Sequence, residues 1–517
     1  MITTQRPAKR RRKPAAASSA VAAGLLIAAG CAPVGPDFVR PDVPVQPEWL
    51  STELAEYETG EPELVDWWRQ LEDPVLDSLV ALAYERNNTL RIAGLRVLEA
   101  QARLNVAVGN QYPQAQVITG DATAVGSSKN GPDGESSERS FRQANLAGAV
   151  SWELDFWGRF RRGVEAADAS LLASIADYED VMVLVTAGVA ETYTAIRTLE
   201  EQLRLARSSF DIQQRSYDIA ELLYRNGENS ELDALQARTL LLSTEAVLPE
   251  LEVGLRQAKN ALATLLGMAP GDVDSLLGSE GSLPDVPESL AVGSLPANLL
   301  RQRPDVRRAE LNALAQNAVV GIATSNLYPS FSLNGTLGLG TTDAGDSTLG
   351  DLINGDSSNY ALGVSFVWPF LNYGRIRNNI RVEDARLQQA LIAYRDTVLT
   401  ASREVEDAMA AFAGRRRQAE TLRQGVEAAE RSAELSLLRY REGFADYQRV
   451  LNAQQSLFGQ QQRYASAQGD VVRSLIAIYR ALGGGVDVNR DFVDADTREQ
   501  MQERTNWGDL IETTPER

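Results

Sequence analysis

One constant offset runs through this chain and limits what it can fold into. Tyr112-Pro113 recurs as Tyr328-Pro329, Trp152 as Trp368, Gly158-Arg159 as Gly374-Arg375, Tyr224-Arg225 as Tyr440-Arg441 and Leu266-Gly267 as Leu482-Gly483. Every subtraction (328 minus 112, 368 minus 152) gives 216. Repeats of about 20–50 residues build solenoids and propellers; a repeat this long makes each copy a large structural half. Two such halves, each with short strands and very long helices, describe a wall element rather than an enzyme pocket.

Each copy begins with strands. Tyr112-Pro113 ends a helical stretch that starts near Pro74 and breaks near Asn87, because proline disfavours helix at the residue before it. Strands follow over about residues 114–125 and 144–153. The second copy alternates cleanly. Phe331, Leu333, Leu337 and Leu339 fall on one face and Ser332, Asn334 and Thr336 on the other; Tyr360, Leu362, Val364, Phe366 and Trp368 share a face. Period two over roughly 9–11 residues fits a membrane-spanning strand and a half-buried soluble strand equally. The aromatics favour the first: Tyr112, Trp152, Trp157, Tyr328, Trp368 and Phe370 all sit at the helix-proximal strand ends, where an interfacial girdle belongs. The first strand is the weak member, with Asp121 on what should be its lipid face.

After Gly158 the period changes to steps of four and three, from Leu171, Ile175, Tyr178 and Met182 through Ile196 to Phe210, and in the second copy from Leu387 through Tyr394 and Val405 to Phe412. That is a heptad seam, which needs a partner helix. From Gly158 to Asn226 it covers about 69 residues, roughly 100 Å of helix. Tyr224-Arg225-Asn226-Gly227 turns the chain, and a return helix runs to Gly267, with a kink expected at Pro249. The second hairpin turns at Tyr440-Arg441-Glu442-Gly443 and returns to Leu482-Gly483.

Composition removes whole classes of chemistry. There is no histidine and Cys31 is the only cysteine, which rules out Ser-His-Asp and Cys-His catalysis, zinc clusters and an internal disulfide. A net charge of −19 argues against a nucleic-acid surface. The first thirty residues read as a targeting segment: Lys9 to Lys13 are basic, Ala15 to Ala29 small and apolar, and Ala28-Ala29-Gly30 precedes Cys31. Cys31 is then either the lipidated first residue of a lipoprotein or lies beside an ordinary cleavage site near Gly30. Losing the six basic residues ahead of Cys31 takes the charge from −19 to about −25. No later run reaches the ~18 apolar residues of a membrane helix. If the strands span, their edges stay open, and an open edge in lipid costs several kcal/mol per unpaired group. The chain must then assemble with copies of itself.

The residues also carry a family resemblance, from Cys31 to about Gly484. Cys31-x3-Gly35-Pro36-Asp37-Phe38, Trp67-Trp68-x4-Asp73-Pro74-x-Leu76 and Leu299-Leu300-x2-Arg303-Pro304-Asp305-Val306-x2-Ala309-Glu310, followed by Leu327-Tyr328-Pro329-Ser330-Phe331, resemble the lipoprotein branch of the TolC/OprM-type outer-membrane efflux proteins. The resemblance implies an α+β membrane protein in the outer membrane. Three copies would form a twelve-stranded β-barrel and a periplasmic tunnel of long coiled-coil helices, anchored in lipid through Cys31. It implies a periplasmic adaptor and an inner-membrane RND-type pump as partners, with no cofactor, metal, nucleic acid or catalytic role. The chain then divides into a signal peptide (1–30), an extended anchored strap (31–73), the first repeat (74–267), an equatorial connector (268–296), the second repeat (297–485) and an acidic tail (486–517). Arg225, Gly227, Arg441 and Gly443 become adaptor-contacting hairpin tips, and Asp446, Tyr447, Arg449 and Asn452 the tunnel gate. Relatives carry an acid in the stretch that reads Leu451-Asn452-Ala453-Gln454 here, so a ring at this level carries no charge. Asp446 and Arg449 either pair across the tip or stand as exposed tip charges. A type I protein-secretion duct shares this architecture; a coiled-coil envelope scaffold explains the heptads but not the strands.

Overall fold

A computed structural model describes residues 33–46, 49–50, 57–59, 63–126, 128, 140–228, 230–278, 281–287, 290–292, 300–345, 347–442 and 444–511. In chain order the main elements are β1 (Tyr57–Thr59), α1 (Pro74–Arg86), α2 (Asn88–Gly109), β2 (Ala115–Gly126), β3 (Ser140–Leu154), α3 (Arg159–Arg225) and α4 (Glu231–Leu265). Then come β4 (Leu290–Val292), α5 (Pro304–Ser325), β5 (Ser330–Thr342), β6 (Ser358–Val367), α6 (Arg375–Arg441), α7 (Tyr447–Ala481) and α8 (Ala495–Arg504). Adding 216 to the bounds of α2, α3 and α4 gives those of α5, α6 and α7 without remainder.

The helix ends explain that agreement. Asp73 caps α1, its carboxylate accepting from the amides of Val75 (2.9 Å) and Leu76 (3.2 Å), with Pro74 in the first turn where no amide is needed. At the end of α3, Glu228 donates to the Leu223 carbonyl and Gly227 to that of Tyr224, both at 2.9 Å, with Gly227 at φ +73°. This is a Schellman stop, and it requires the left-handed conformation that glycine alone adopts without penalty. In the second copy the Phe444 amide, the counterpart of Glu228, makes the same bond to the Arg439 carbonyl (2.9 Å). α4 continues as one helix through Pro249.

The chain packs as two compact units: residues 1–40, 100–171 and 312–391 form the first, and 41–99, 172–311 and 392–517 the second. The first unit holds an antiparallel sheet in the order β2-β3-β5-β6. Its register stacks Leu154, Phe331 and Phe366, then Trp152, Leu333 and Val364, then Val150, Gly335 and Leu362, on one face. The opposite face carries Ser151, Asn334 and Gly363 in one row. Asp121 corrects the sequence reading. It lies opposite Asn145, whose amide donates to it at 3.1 Å, on the polar face. The cause is a one-residue slip: Ala115 pairs with Ser151, whereas its counterpart Phe331 pairs with Phe366, the counterpart of Val150. With a side-chain period of two, that slip turns all of β2 over.

The strand ends are tied to the helices by equivalent bonds in both copies. The Trp152 indole donates to the Gln111 carbonyl and that of Trp368 to the Leu327 carbonyl, each at 3.1 Å. Residues 34–37 of the strap lie against this unit: Val34 donates to Trp157 (3.0 Å), Asp37 pairs with Arg162 (2.8 Å) and Asn317 donates to Pro36 (2.9 Å).

The second unit buries the heptad seam. Tyr178, Met182, Val185, Val189 and Ile196 of α3 and Tyr394, Val398, Val405 and Phe412 of α6 are all core residues. Gly469 of α7 approaches α3 so closely that a Cβ would lie 2.1 Å from the Thr198 hydroxyl. The acidic tail is better ordered than its sequence suggests. It forms α8, stacks Phe492 edge-on against Tyr178 (5.0 Å) and pairs Asp494 with Arg91 (3.0 Å).

Candidate functional site

Within the second unit, the two hairpins meet near their turns. Ala220 of α3, Ala237 of α4 and Tyr447, Val450 and Leu451 of α7 form one buried cluster, with Tyr217, Leu240, Leu437 and Tyr440 packed around it. Tyr447 is 4% exposed, so it is a core residue of the tip. Its hydroxyl donates to the Ser216 carbonyl (2.8 Å) and its ring lies 5.0 Å from that of Tyr440. Burial pushes its phenol up to about 12, ahead of the opposing effect of the Ser216 bond. Gln454 adds a second tie, donating to the Ser216 hydroxyl at 3.0 Å.

The remaining residues of the expected gate face solvent. Asp446 caps α7 by accepting from the Arg449 amide (3.3 Å), and its carboxylate is 3.8 Å from the Arg449 guanidinium. Both side chains are about 70% exposed, which limits the pair to roughly 0–1 kcal/mol. Asn452 is exposed, its oxygen accepting from Gln448 (2.9 Å). Arg449 and Asn452 stand three residues apart and share one side of α7. At the turns, Arg225 is exposed and pairs with Glu221 (2.7 Å), and Arg441 is exposed at the end of α6. Gly443 and Cys31 lie outside the described residues. Leu222, Leu232, Leu235 and Phe444 also carry apolar surface into solvent at this end of the hairpins.

The motif Arg303-Pro304-Asp305 has a different task. Arg303 donates to the Ala481 carbonyl (2.6 Å), to both oxygens of Asp305 (3.0 and 2.7 Å) and to Glu404 (2.8 Å). Burial alone would lower the pKa of this guanidinium, but Asp305 and Glu404 outweigh it and hold the group firmly protonated. One turn on, Arg307 pairs with the buried Glu179 (2.7 Å), and Arg308 bridges Asp177 and Asp180. The equivalent of Arg303 in the first copy is Asn87, whose amide donates to Leu265 (2.7 Å), the equivalent of Ala481. Both residues bind the last turn of a return helix. The repeat pattern alone conceals this, because asparagine and arginine do not align as alike.

Among the described residues no group of acids, histidines or cysteines is placed to hold a metal ion, and no helix is long and apolar enough to cross a membrane. The chain instead offers a sheet with one exposed apolar face and two 67-residue helices returning through 35-residue partners. That combination defines the class of β-sheet membrane ducts with coiled-coil extensions. The chain belongs to the outer membrane efflux protein family, whose model matches it twice, over residues 79–268 and 295–484. The two matches begin at the interval of the repeat itself (295 minus 79).

Among similar proteins, the pyoverdine export outer membrane protein OpmQ of Pseudomonas putida is 32% identical over 422 residues, covering 81% of this chain and 88% of its own length. The solvent efflux pump outer membrane protein SrpC of the same species is 30% identical, covering 90% and 98%. The probable outer membrane lipoprotein SilC of Salmonella typhimurium is 29% identical, covering 89% and 97%. Among solved structures, the outer-membrane channel OprN matches with a TM-score of 0.80 at 30% identity, covering 87% of this chain and 99% of its own. The protein is an outer-membrane efflux duct.

Proposed function

We propose that three copies of this chain close a twelve-stranded barrel and extend it as a helical tunnel. Through that tunnel, substrates delivered by an inner-membrane RND-type pump and a periplasmic adaptor leave the cell passively. The observation that carries this reading is the sheet itself. β2 and β6 have no strand partner on their outer edges among the described residues, and the apolar face is bare, with Leu362 77% exposed. Open edges and bare apolar strands are tolerable in lipid only after closure between copies. Cys31 carries the lipid anchor. The tips around Arg225, Gly227, Arg441 and Gly443 dock the adaptor, with exposed leucines supplying apolar contact. Asp446, Arg449 and Asn452 ring the aperture, and Tyr447 ties α7 to α3 behind them. The 268–296 segment serves as the equatorial connector between the two repeats. Exported pyoverdine and solvents are substrates named for relatives; here the pump chooses the cargo.

Planar-bilayer recording together with native mass measurement tests the proposal. Stepwise conductance from a species of three lipidated chains is expected. A monomer that retains its full β-sheet circular-dichroism signal would refute closure between copies, and an unmodified Cys31 thiol in membrane-extracted protein would remove the anchor alone.

A further inference from the structure

The repeat supplies an internal control at the joints between strand and long helix. In the first copy every arginine of the joint is neutralised: Arg159 by Glu153 (3.3 Å), Arg161 by Asp155 (3.2 Å) and Arg162 by Asp37 (2.8 Å) and Glu165 (2.7 Å). The second copy keeps Arg375 and Arg377 in place of Arg159 and Arg161 but has lost the acids. Pro369 stands for Glu153, Leu371 for Asp155 and Arg381 for Glu165. Arg375, Arg377 and Arg381 are exposed, and none forms an ion pair with a described carboxylate. Arg375 lines a cleft of about 710 Å³ that also contains Glu153 and Asp155, but those acids are already committed to Arg159 and Arg161.

The aromatics diverge in the same way. Trp157 is stacked on Tyr328 (4.5 Å) and donates to Pro329 (2.8 Å). Its counterpart Tyr373 is 98% exposed, and its backbone is held at φ +48°, a conformation that costs a tyrosine energy. Phe370 and Leu371 beside it are also bare. Along β6 and into α6 the exposed side chains therefore pass from aliphatic and aromatic (Leu362, Val364, Phe366) to aromatic (Trp368, Phe370, Tyr373) to arginine without a described carboxylate partner, Arg381 donating only to Asn378 (3.0 Å). That order matches the passage from hydrocarbon through interface to headgroup.

We infer that the β6–α6 joint is a binding site for anionic phospholipid headgroups: Arg377 and Arg381, one turn apart on the same side of α6, grip the phosphate, Arg375 adds positive charge at the start of the helix, and Phe370 and Tyr373 lie along the glycerol and upper acyl region. Guanidinium groups suit this ligand because they bind phosphate oxygens through paired N–H donors. The inference rests on the reading that the apolar sheet face meets lipid.

Two measurements on the full-length protein separate the two claims. In proteoliposomes of phosphatidylcholine alone, wild type and the Arg375→Gln/Arg377→Gln/Arg381→Gln variant, each made with Cys31→Ser so that no acyl anchor holds it, should both float after an alkaline wash. Failure of the wild type to float overturns the lipid-facing sheet, and the headgroup site with it. In detergent, native mass spectrometry should show phosphatidylglycerol retained on the wild type in preference to phosphatidylethanolamine. The triple variant should lose that preference by about tenfold or more, as expected for three arginines at an anionic surface. A control variant, Arg403→Gln/Arg423→Gln/Arg431→Gln, removes equal charge further along α6 and should keep it. Equal retention of both lipids by the wild type, unchanged retention in the triple variant, or displacement of phosphatidylglycerol by equimolar inorganic phosphate would each overturn the site while leaving the duct intact.

Discussion

At the scale of single residues, the tip separates structural side chains from those free to meet ions. Tyr447 is buried and bonded; Asn452 is exposed. A ring of asparagines carries no charge, so block of conductance by multivalent cations should be weak. Asn452→Asp should strengthen it several-fold, because three close carboxylates repel one another and attract cations more strongly where water is scarce. Single-channel recordings with and without trivalent ions check this; no change in the variant would mean residue 452 does not face the lumen. Tyr447→Phe should cost about 0.5–1.5 kcal/mol at the tip, since one hydrogen bond is lost while the Ser216 carbonyl keeps its donor within α3. The pH sign follows from the raised phenol. Its contribution is complete below the ordinary value of 10.0 and is lost as pH rises through about 12. A difference titration of tyrosinate absorbance between wild type and Tyr447→Phe should isolate one group titrating near 12.

At the scale of elements, most of the architecture was legible because helix length and turn chemistry are local. Tyr-Arg-x-Gly marks both tip turns, and Gly158 and Asn226 bracket the first long helix to within a residue. Three things were not legible. The face of β2 depends on a one-residue slip in pairing, which no single strand reveals, and it moved Asp121 from the lipid face to the polar one. The tail packs through isolated residues such as Phe492 and Asp494, with no period to announce them. The core position of Tyr447 depends on a partner 231 residues away in sequence. The corrected register has a direct consequence. Leu362→Arg, on the apolar face, should destabilise the folded barrel by about 2–4 kcal/mol in bilayers, whereas Asp121→Asn should change it by less than about 1 kcal/mol, since the polar partner Asn145 remains. Urea unfolding in vesicles gives both numbers, and a marked stabilisation by Asp121→Asn would restore the original face, because a charge would then have been removed from lipid. The two return-helix ties should also differ. Arg303→Met strands Asp305 and Glu404 and should cost about 3–5 kcal/mol, against about 1–2 kcal/mol for Asn87→Ala, which removes a neutral donor.

At the scale of the whole molecule, the proposed closure between copies makes folding of the sheet and assembly of the duct one equilibrium. A four-stranded sheet with a bare apolar face has no stable home as a single chain, either in water or in lipid. Away from the tips the helices also leave Leu184, Leu242 and Leu399 in solvent, and on the proposed reading a neighbouring copy covers them. The stability of the β-sheet should therefore rise with protein concentration. For three copies joining in one cooperative step, each tenfold increase adds about 2.8 kcal/mol per assembly, twice the tenfold unit of about 1.4 kcal/mol. Unfolding midpoints of the β circular-dichroism signal in detergent, measured across two decades of protein concentration, give the slope. A slope of about 2.8 kcal/mol per decade fits three copies, and a slope of about 1.4 kcal/mol per decade fits two. A midpoint independent of concentration would show that the sheet closes without partners, and the open edges of β2 and β6 would then need another explanation.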